Sequence, residues 1–454
     1  MDLVCGALLT GMFMPIFNIG LGMSTVAIGI VMVWLRAWDA INDPLMGYIS
    51  DNFPTRWGRR RPYLVIGAIG SALVYPLFWF MPPELSESGK FFYLLIVGLA
   101  FYTVNTVWAM PYYSLQMELT PNYHERTRLT AWMTAFYSVV NIFAGWNMAL
   151  ITSKHFADPV TGKPDLVNGM QTMGWFYAGL IVVFGLAPAL LVKERAYTKP
   201  VPAPGHDKIK RESFLQSLRE SFSNGPLWLL IAISFFLVVG TSVGVGGYVH
   251  IFYVCDGDLA LAGKVSGYKS TIITISSLAL IPFWTWLGRY YDKKNLVITT
   301  LLISIFGHLL GYYLITPANP YLSLISGFFE SSALSAIWLF LPSMKGDVCD
   351  YDEQSTWRRR EGGINSFYSW FFKAALTLTA GLSGWVIQMT GFNVKVNSAD
   401  PVIHERLFNV HIFLPVMFWM IALVFAWFYP LTRTRMAAIR KELEDRRGAV
   451  KVAE

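Results

Sequence analysis

Apolar stretches long enough to cross a bilayer recur along this chain, near residues 3–22, 26–50, 62–81, 91–117, 128–152, 171–192, 225–254, 265–287, 296–316, 320–344, 363–390 and 407–431. A helical span needs about 20 mostly apolar residues, and a backbone in hydrocarbon must satisfy its own hydrogen bonds. The pattern predicts an all-α membrane protein with twelve transmembrane helices. Charged residues make up only 14% of the chain, against about 25% in a soluble domain. The net charge of +7 is spread between the apolar stretches, not gathered on a soluble basic module. That excludes nucleic acid as a partner and leaves membrane lipid. The apolar N-terminus has no basic leader region and no A-x-A-type cleavage site, so it reads as a first span. The three cysteines, Cys5, Cys255 and Cys349, are too far apart for a metal or disulfide pattern.

The charge distribution orients the chain. With both termini cytoplasmic, cytoplasmic segments hold 27 Lys and Arg, outside loops hold 6, and Arg36, Lys269 and Lys373 fall inside spans. That asymmetry predicts a multi-pass protein of the cell (inner) membrane, with N and C termini inside. The long polar stretch 193–224 separates a six-helix bundle at 1–192 from another at 225–431, and 432–454 forms a cytoplasmic tail. The tail reads as a solvated, partly helical end. The bundles echo each other: "GYISD" places Gly47 four residues before Asp51, and "GRYYD" places Gly288 four before Asp292. A 6+6 duplication with such turns resembles the major facilitator superfamily, in which two halves surround a central cavity.

Inside the second span lies "RAWDAINDP" (36–44). At 100° per residue, positions 36, 39 and 43 fall at about 0°, 300° and 340°, within an arc of roughly 60°. Arg36, Asp39 and Asp43 therefore form one polar stripe that can turn away from lipid. Two acids face one base. A buried carboxylate left over either binds a cation or takes a proton, and ionisable residues in a span are candidates for function. Pro44 removes a backbone donor just beyond Asp43. The competing reading is a structural salt bridge.

Other spans carry polar faces as well. Ser366, Ser369, Lys373 and Thr377 share a face of span eleven. Lys373 reads as a counter-charge to the spare aspartate or as a ligand donor, against an ammonium that snorkels to an interface. Glu330 in span ten reads as a second protonation site, a substrate ligand, or a protonated acid bonded to a neighbouring hydroxyl. His308 reads as a neutral core histidine. Span four carries Asn105, Thr106, Ala109, Tyr112, Tyr113 and Gln116, and span five carries Thr134, Ser138, Asn141 and Gly145. Such polar and aromatic faces suit a sugar, though similar residues also join membrane helices. Asn105, Tyr113, Gln116, Glu330, Trp338 and Lys373 are the candidate substrate contacts in these spans. At the basic turns, Asp51, Arg59, Arg126, Asp350 and Arg360 suggest salt bridges between halves that close an inner gate and part again; Asp352 and Glu353 add acids that topology alone does not require.

With these residues assembled, "RAWDAINDPLMGYISDNFPTRWGRRRP" and "GDVCDYDEQSTWRRREGGINSFYSWFFK" resemble the signatures of the glycoside–pentoside–hexuronide:cation symporters, the melibiose-permease-like family. The resemblance implies that Asp39 and Asp43 bind the coupling cation, Na⁺ or H⁺, with Thr106 assisting sodium. It implies that Lys373 lies near the cation and sugar sites, that Asp2 matches a first-helix acid binding sugar hydroxyls, and that Tyr113 stands where a sugar-stacking Trp is found. Two positions depart from the pattern. Ala109 replaces an acid that binds galactosyl hydroxyls, and Thr134 replaces an arginine. Loss of that acid beside Arg36 and Lys373 suits an anionic sugar such as a uronate or sulfosugar. The expectation is therefore a cation-coupled sugar or glycoside symporter, monomeric, with no cofactor beyond the coupling ion. Alternatives are a sucrose-like disaccharide/H⁺ symporter, a carrier of a non-sugar cargo such as a lysolipid, and a passive facilitator. No HExxH motif and no paired histidines occur within a span, which sets a membrane-embedded enzyme aside.

Overall fold

The computed structural model describes residues 1, 4–52, 57–58, 60–118, 123–192, 222–356, 361–396 and 398–447, with backbone alone at some helical positions. Asp2, Arg59 and Arg360 lie outside the described residues, and so do the side chains of Asp51, Gln116, Arg126, Thr134 and Ser366. The described chain is helical: α1 Val4–Gly20, α2 Thr25–Asn52, α3 Arg61–Phe78, α4 Glu87–Glu118, α5 Tyr123–Ile151, α6 Leu166–Leu191, α7 Gly225–Val254, α8 Leu259–Leu287, α9 Lys293–Leu314, α10 Pro320–Thr356, α11 Glu361–Met389, α12 Pro401–Trp427 and α13 Arg433–Arg447. Among the described residues, ten helices are long and apolar enough to cross a membrane, and Val4–Gly20 and Phe136–Ile151 are shorter apolar helices. This is compatible with the twelve spans expected from the sequence.

Several elements differ from the sequence reading. Residues 346–356, expected as part of a turn, continue α10 as helix to Thr356, so the acids there stand on a helix. α7 is interrupted: helix stops at Ser242 and resumes at Gly246, within the glycine-rich run "GTSVGVGG". "GTSVG" also spells GxSxG, but it ends a helix; the hydrolase elbow joins a strand to a helix. The tail is not merely solvated. In α13, Met436, Ile439 and Leu443 are buried, a three-then-four spacing that marks one apolar helical face.

The chain divides into two compact units: Met1–Pro200 with Val245–Thr271 and Ala380–Leu407, and Val201–Gly244 with Ile272–Thr379 and Phe408–Glu454. In the first unit α3 packs on α4 and α6, and α2 on α4. Phe13, Phe17, Tyr75, Phe78, Trp79 and Phe101 are fully buried there. Lipid is as apolar as these rings, so close packing and polar links, rather than release from water, hold such helices together. Trp108 Nε1 donates to the Gly185 carbonyl at 2.9 Å, and Tyr248 Oη to Asn18 Oδ1 at 2.7 Å.

The same unit joins α2 to α11. Thr25 Oγ1 donates to the Gly384 carbonyl at 3.0 Å. A Cβ at Gly384 would lie 2.2 Å from the Thr25 carbonyl oxygen. Only glycine permits that approach.

In the second unit α9 packs on α10, and α13 packs on the last part of α10. Asp347 pairs with Lys293 at 2.7 Å and with Arg440 at 2.8 Å. Arg440 also reaches Asp350 at 3.4 Å. Asp350, read from the sequence as part of a gate between halves, thus has a described partner on the tail helix of its own unit.

Candidate functional site

α2 is an unbroken helix through "RAWDAINDP", with Pro44 inside it. Asp39 and Asp43 are one turn apart and both half-buried. α4 packs beside α2 and brings Thr106, only 2% exposed, to both acids. The Thr106 hydroxyl oxygen lies 3.2 Å from Asp39 Oδ1 and 3.5 Å from Asp43 Oδ1. A hydroxyl has one hydrogen, so it donates to one carboxylate at a time and offers lone pairs to whatever sits between them.

Those spacings carry chemical meaning. Oxygen ligands of a hard cation lie at about 2.3–2.6 Å, so neighbouring oxygens of an octahedral shell stand roughly 3.3–3.7 Å apart. The hydroxyl-to-carboxylate separations here match the spacing of neighbouring oxygens around a small cation. The same carboxylates accept a proton. Among the described residues, no group of three or more His, Cys, Asp and Glu is placed to hold a metal ion; the oxygens gathered here are two carboxylates and a hydroxyl.

Arg36, one turn before Asp39, places its guanidinium 6.0 Å from the ring centre of Tyr102. Tyr102 is buried at 6% exposure and stands four residues before Thr106, so one face of α4 serves both Arg36 and the acids. Sequence reading missed Tyr102, although its i, i−4 relation to Thr106 was visible. It also passed over Asn42, buried beside the acids with an amide nitrogen that makes no hydrogen bond among the described residues. Asn105 Oδ1 is buried in the same condition. Polar atoms in that state suit a ligand or water-lined space.

The other candidates spread more widely. Tyr113 is 36% exposed and meets Tyr112 edge-on. Ala109 packs in an apolar cluster with Leu64, Ala68, Trp108 and Leu115, so nothing polar replaces the acid expected there. Lys373, Glu330 and Trp338 belong to the second unit. Lys373 is exposed on α11, and Thr377 spends its hydroxyl on the Lys373 carbonyl at 2.9 Å. Trp338 is 65% exposed and sits in a π-helical turn, Ala336–Phe340, of the kind that re-aims side chains at functional sites. Glu330 bonds His308 across to α9, a partner that the sequence reading of Glu330 as a protonation site, a substrate ligand or an acid bonded to a hydroxyl did not name.

Known proteins resemble this chain over most of its length. The family model described as MFS/sugar transport protein matches residues 4–433. A putative glycoside/cation symporter of Escherichia coli, YagG, is 27% identical, over 94% of this chain and 89% of its own. Sodium-dependent lysophosphatidylcholine symporter 1-A of Danio rerio is 24% identical, over 96% of this chain and 84% of its own. Among solved structures, an inward-facing, unoccupied bacterial homologue of the human lysosomal transporter Spinster superposes with a TM-score of 0.67. It is 15% identical, covers 99% of this chain and 96% of its own, and so speaks for the fold alone.

Proposed function

Because this chain belongs to the MFS/sugar transport protein family, we propose that it is a secondary active transporter that couples entry of a sugar or glycoside to a cation bound at Asp39 and Asp43. The observation that carries this reading is the Thr106 hydroxyl within 3.5 Å of both carboxylates. A cation or proton there offsets the charge of the two acids. Binding on that site favours the conformation that takes substrate, and substrate favours the conformation that takes the cation, because coupling is reciprocal. The loaded protein then exposes its site first on one side of the membrane and then on the other, in alternating access. Asn105, Tyr113, Gln116, Trp338, Glu330 and Asp2 are proposed sugar contacts, with Lys373 and Arg36 as positive groups suited to an anionic sugar. Asp51, Arg59, Arg126, Asp350 and Arg360 are the proposed gate on the basic side of an inner-membrane protein.

Two of the relatives support different classes of cargo. A glycoside/cation symporter supports a sugar, and a sodium-dependent lysophosphatidylcholine symporter supports a lysolipid. The sugar reading is preferred for the polar and aromatic residues of α4. Recording external pH while neutral glycosides, uronates and sulfosugars are added to de-energised cells, with and without Na⁺, tests it. Alkalinisation with one sugar identifies a proton symporter. Sodium-dependent uptake without alkalinisation identifies a sodium symporter. Silence across the sugars, with sodium-dependent lysolipid uptake, replaces the sugar by a lipid cargo.

Thr106 separates the two ions. Thr106→Val removes one oxygen ligand and keeps the shape. It is expected to raise the Na⁺ concentration for half-maximal uptake by about tenfold, the worth of roughly 1.4 kcal/mol for a hydrogen-bond-sized interaction. Thr106→Ser is expected to stay near wild type. A proton-only transporter would tolerate Thr106→Val with an unchanged sodium response.

A further inference from the structure

The second unit holds an ionisable pair that the proposed cation site does not use. His308 on α9 is 4% exposed. Its Nε2 lies 2.9 Å from the backbone oxygen of His411 on α12, and its Nδ1 lies 3.1 Å from Glu330 Oε1 on α10. The rings of His411 and Trp419 close edge-on against it, with centroids at 5.1 and 5.3 Å. Trp419 in turn directs its Nε1 to Thr241 at 3.3 Å.

The geometry fixes a proton count. A carbonyl oxygen only accepts, so Nε2 carries a hydrogen. A neutral imidazole has no other N–H, which leaves Nδ1 as a lone pair facing a carboxyl oxygen. Two lone pairs at 3.1 Å repel. A further proton must therefore lie between Nδ1 and Oε1, on the imidazole as an ion pair or on the acid as a neutral one. Either way the pair is neutral overall, which avoids the cost of an unpaired buried charge. Packed around it, α10 contributes Glu330 and α12 contributes His411, while Gly225–Ser242 and Ala336–Phe340 carry no titratable side chain. Glu330 keeps 18% of its side chain exposed.

We propose that His308 and Glu330 form a proton-binding site within the second unit, separate from the acids of α2, whose proton ties α9, α10 and α12 together. The geometry places one proton between His308 and Glu330 in the folded state, whereas an unfolded chain holds the two side chains apart as separate solvated groups. Where the folded state binds more protons than the unfolded one, stability falls as pH rises.

The test is the melting temperature of the purified full-length protein in detergent from about pH 6 to about pH 9, without substrate, so it is independent of the transport reading. Wild type is expected to lose several degrees, on the order of 2–4 °C, as pH rises. In Glu330→Gln the amide donates to Nδ1 as the protonated acid would, but holds no titratable proton; its melting temperature is expected to be flat over the range. A Glu330→Gln profile that falls as steeply as wild type overturns the proposal. The double variant His308→Leu/Glu330→Leu removes both partners and is expected to be flat as well. A wild-type slope in that variant overturns the proposal independently.

Discussion

Asp43→Asn is expected to abolish accumulation of substrate against its gradient while the protein remains in the membrane. Asparagine has nearly the shape of aspartate and still accepts from Thr106, 3.5 Å away. It has no charge to attract a cation and takes no proton. The loss should therefore appear as a fall in accumulation of about 100-fold or more, toward the upper end of typical coupling energies, with downhill exchange of labelled substrate largely kept. Asp39→Asn is expected to act in the same way, since Thr106 lies even nearer to it, at 3.2 Å. Uptake with and without an imposed cation gradient, set beside exchange in the same vesicles, measures the difference. A passive facilitator would show no accumulation even as wild type, and no change in either variant.

The second large effect is expected from Gly384→Val. The Thr25 carbonyl oxygen already stands 2.2 Å from where a Cβ would begin, so the added side chain must push α2 and α11 apart. The crossing is built from small residues: a Cβ at Gly29 would meet the Gly381 carbonyl at 3.3 Å. Close backbone approach is the main way membrane helices gain contact energy, and overpacking typically costs about 1–3 kcal/mol. That cost falls only on conformations in which this crossing is closed. Uptake is expected to drop at least about tenfold, with protein still present in the membrane by immunoblot. Thr25→Ala removes only the hydrogen bond and is expected to cost about a factor of two to ten. Full uptake by Gly384→Val would mean that the closed crossing is not visited during transport.

The span pattern was legible because length and hydropathy are local properties. Hydropathy places the second span at 26–50, where α2 runs Thr25–Asn52, and the eleventh at 363–390, where α11 runs Glu361–Met389. The misreadings have physical reasons. "GDVCDYDEQST" looks like a turn by polarity, yet it continues α10 because Asp347 and Asp350 are held by Lys293 and Arg440 on neighbouring helices. The tail looked solvated by charge, although Met436, Ile439 and Leu443 already marked an apolar face that docks on α10. Asp39 and Asp43 were legible as a stripe from spacing alone, and Thr106 only through a family resemblance, because nothing local says that α4 lies beside α2. For the same reason the pairing of His308 with Glu330, 22 residues apart on different helices, was not foreseen: composition tells which residues are buried in a membrane but not which faces meet.

The central claim, that the acid pair on α2 couples a cation to a sugar, is tested most directly by reciprocity. Affinity for the substrate found in the sugar panel is measured on purified wild type and Asp43→Asn, with and without Na⁺, and at low and high pH. One of these cations is expected to tighten substrate binding to wild type by roughly 5- to 150-fold, and to have no effect on Asp43→Asn. Substrate affinity that ignores both cations in wild type, or that keeps its cation dependence in Asp43→Asn, would contradict it.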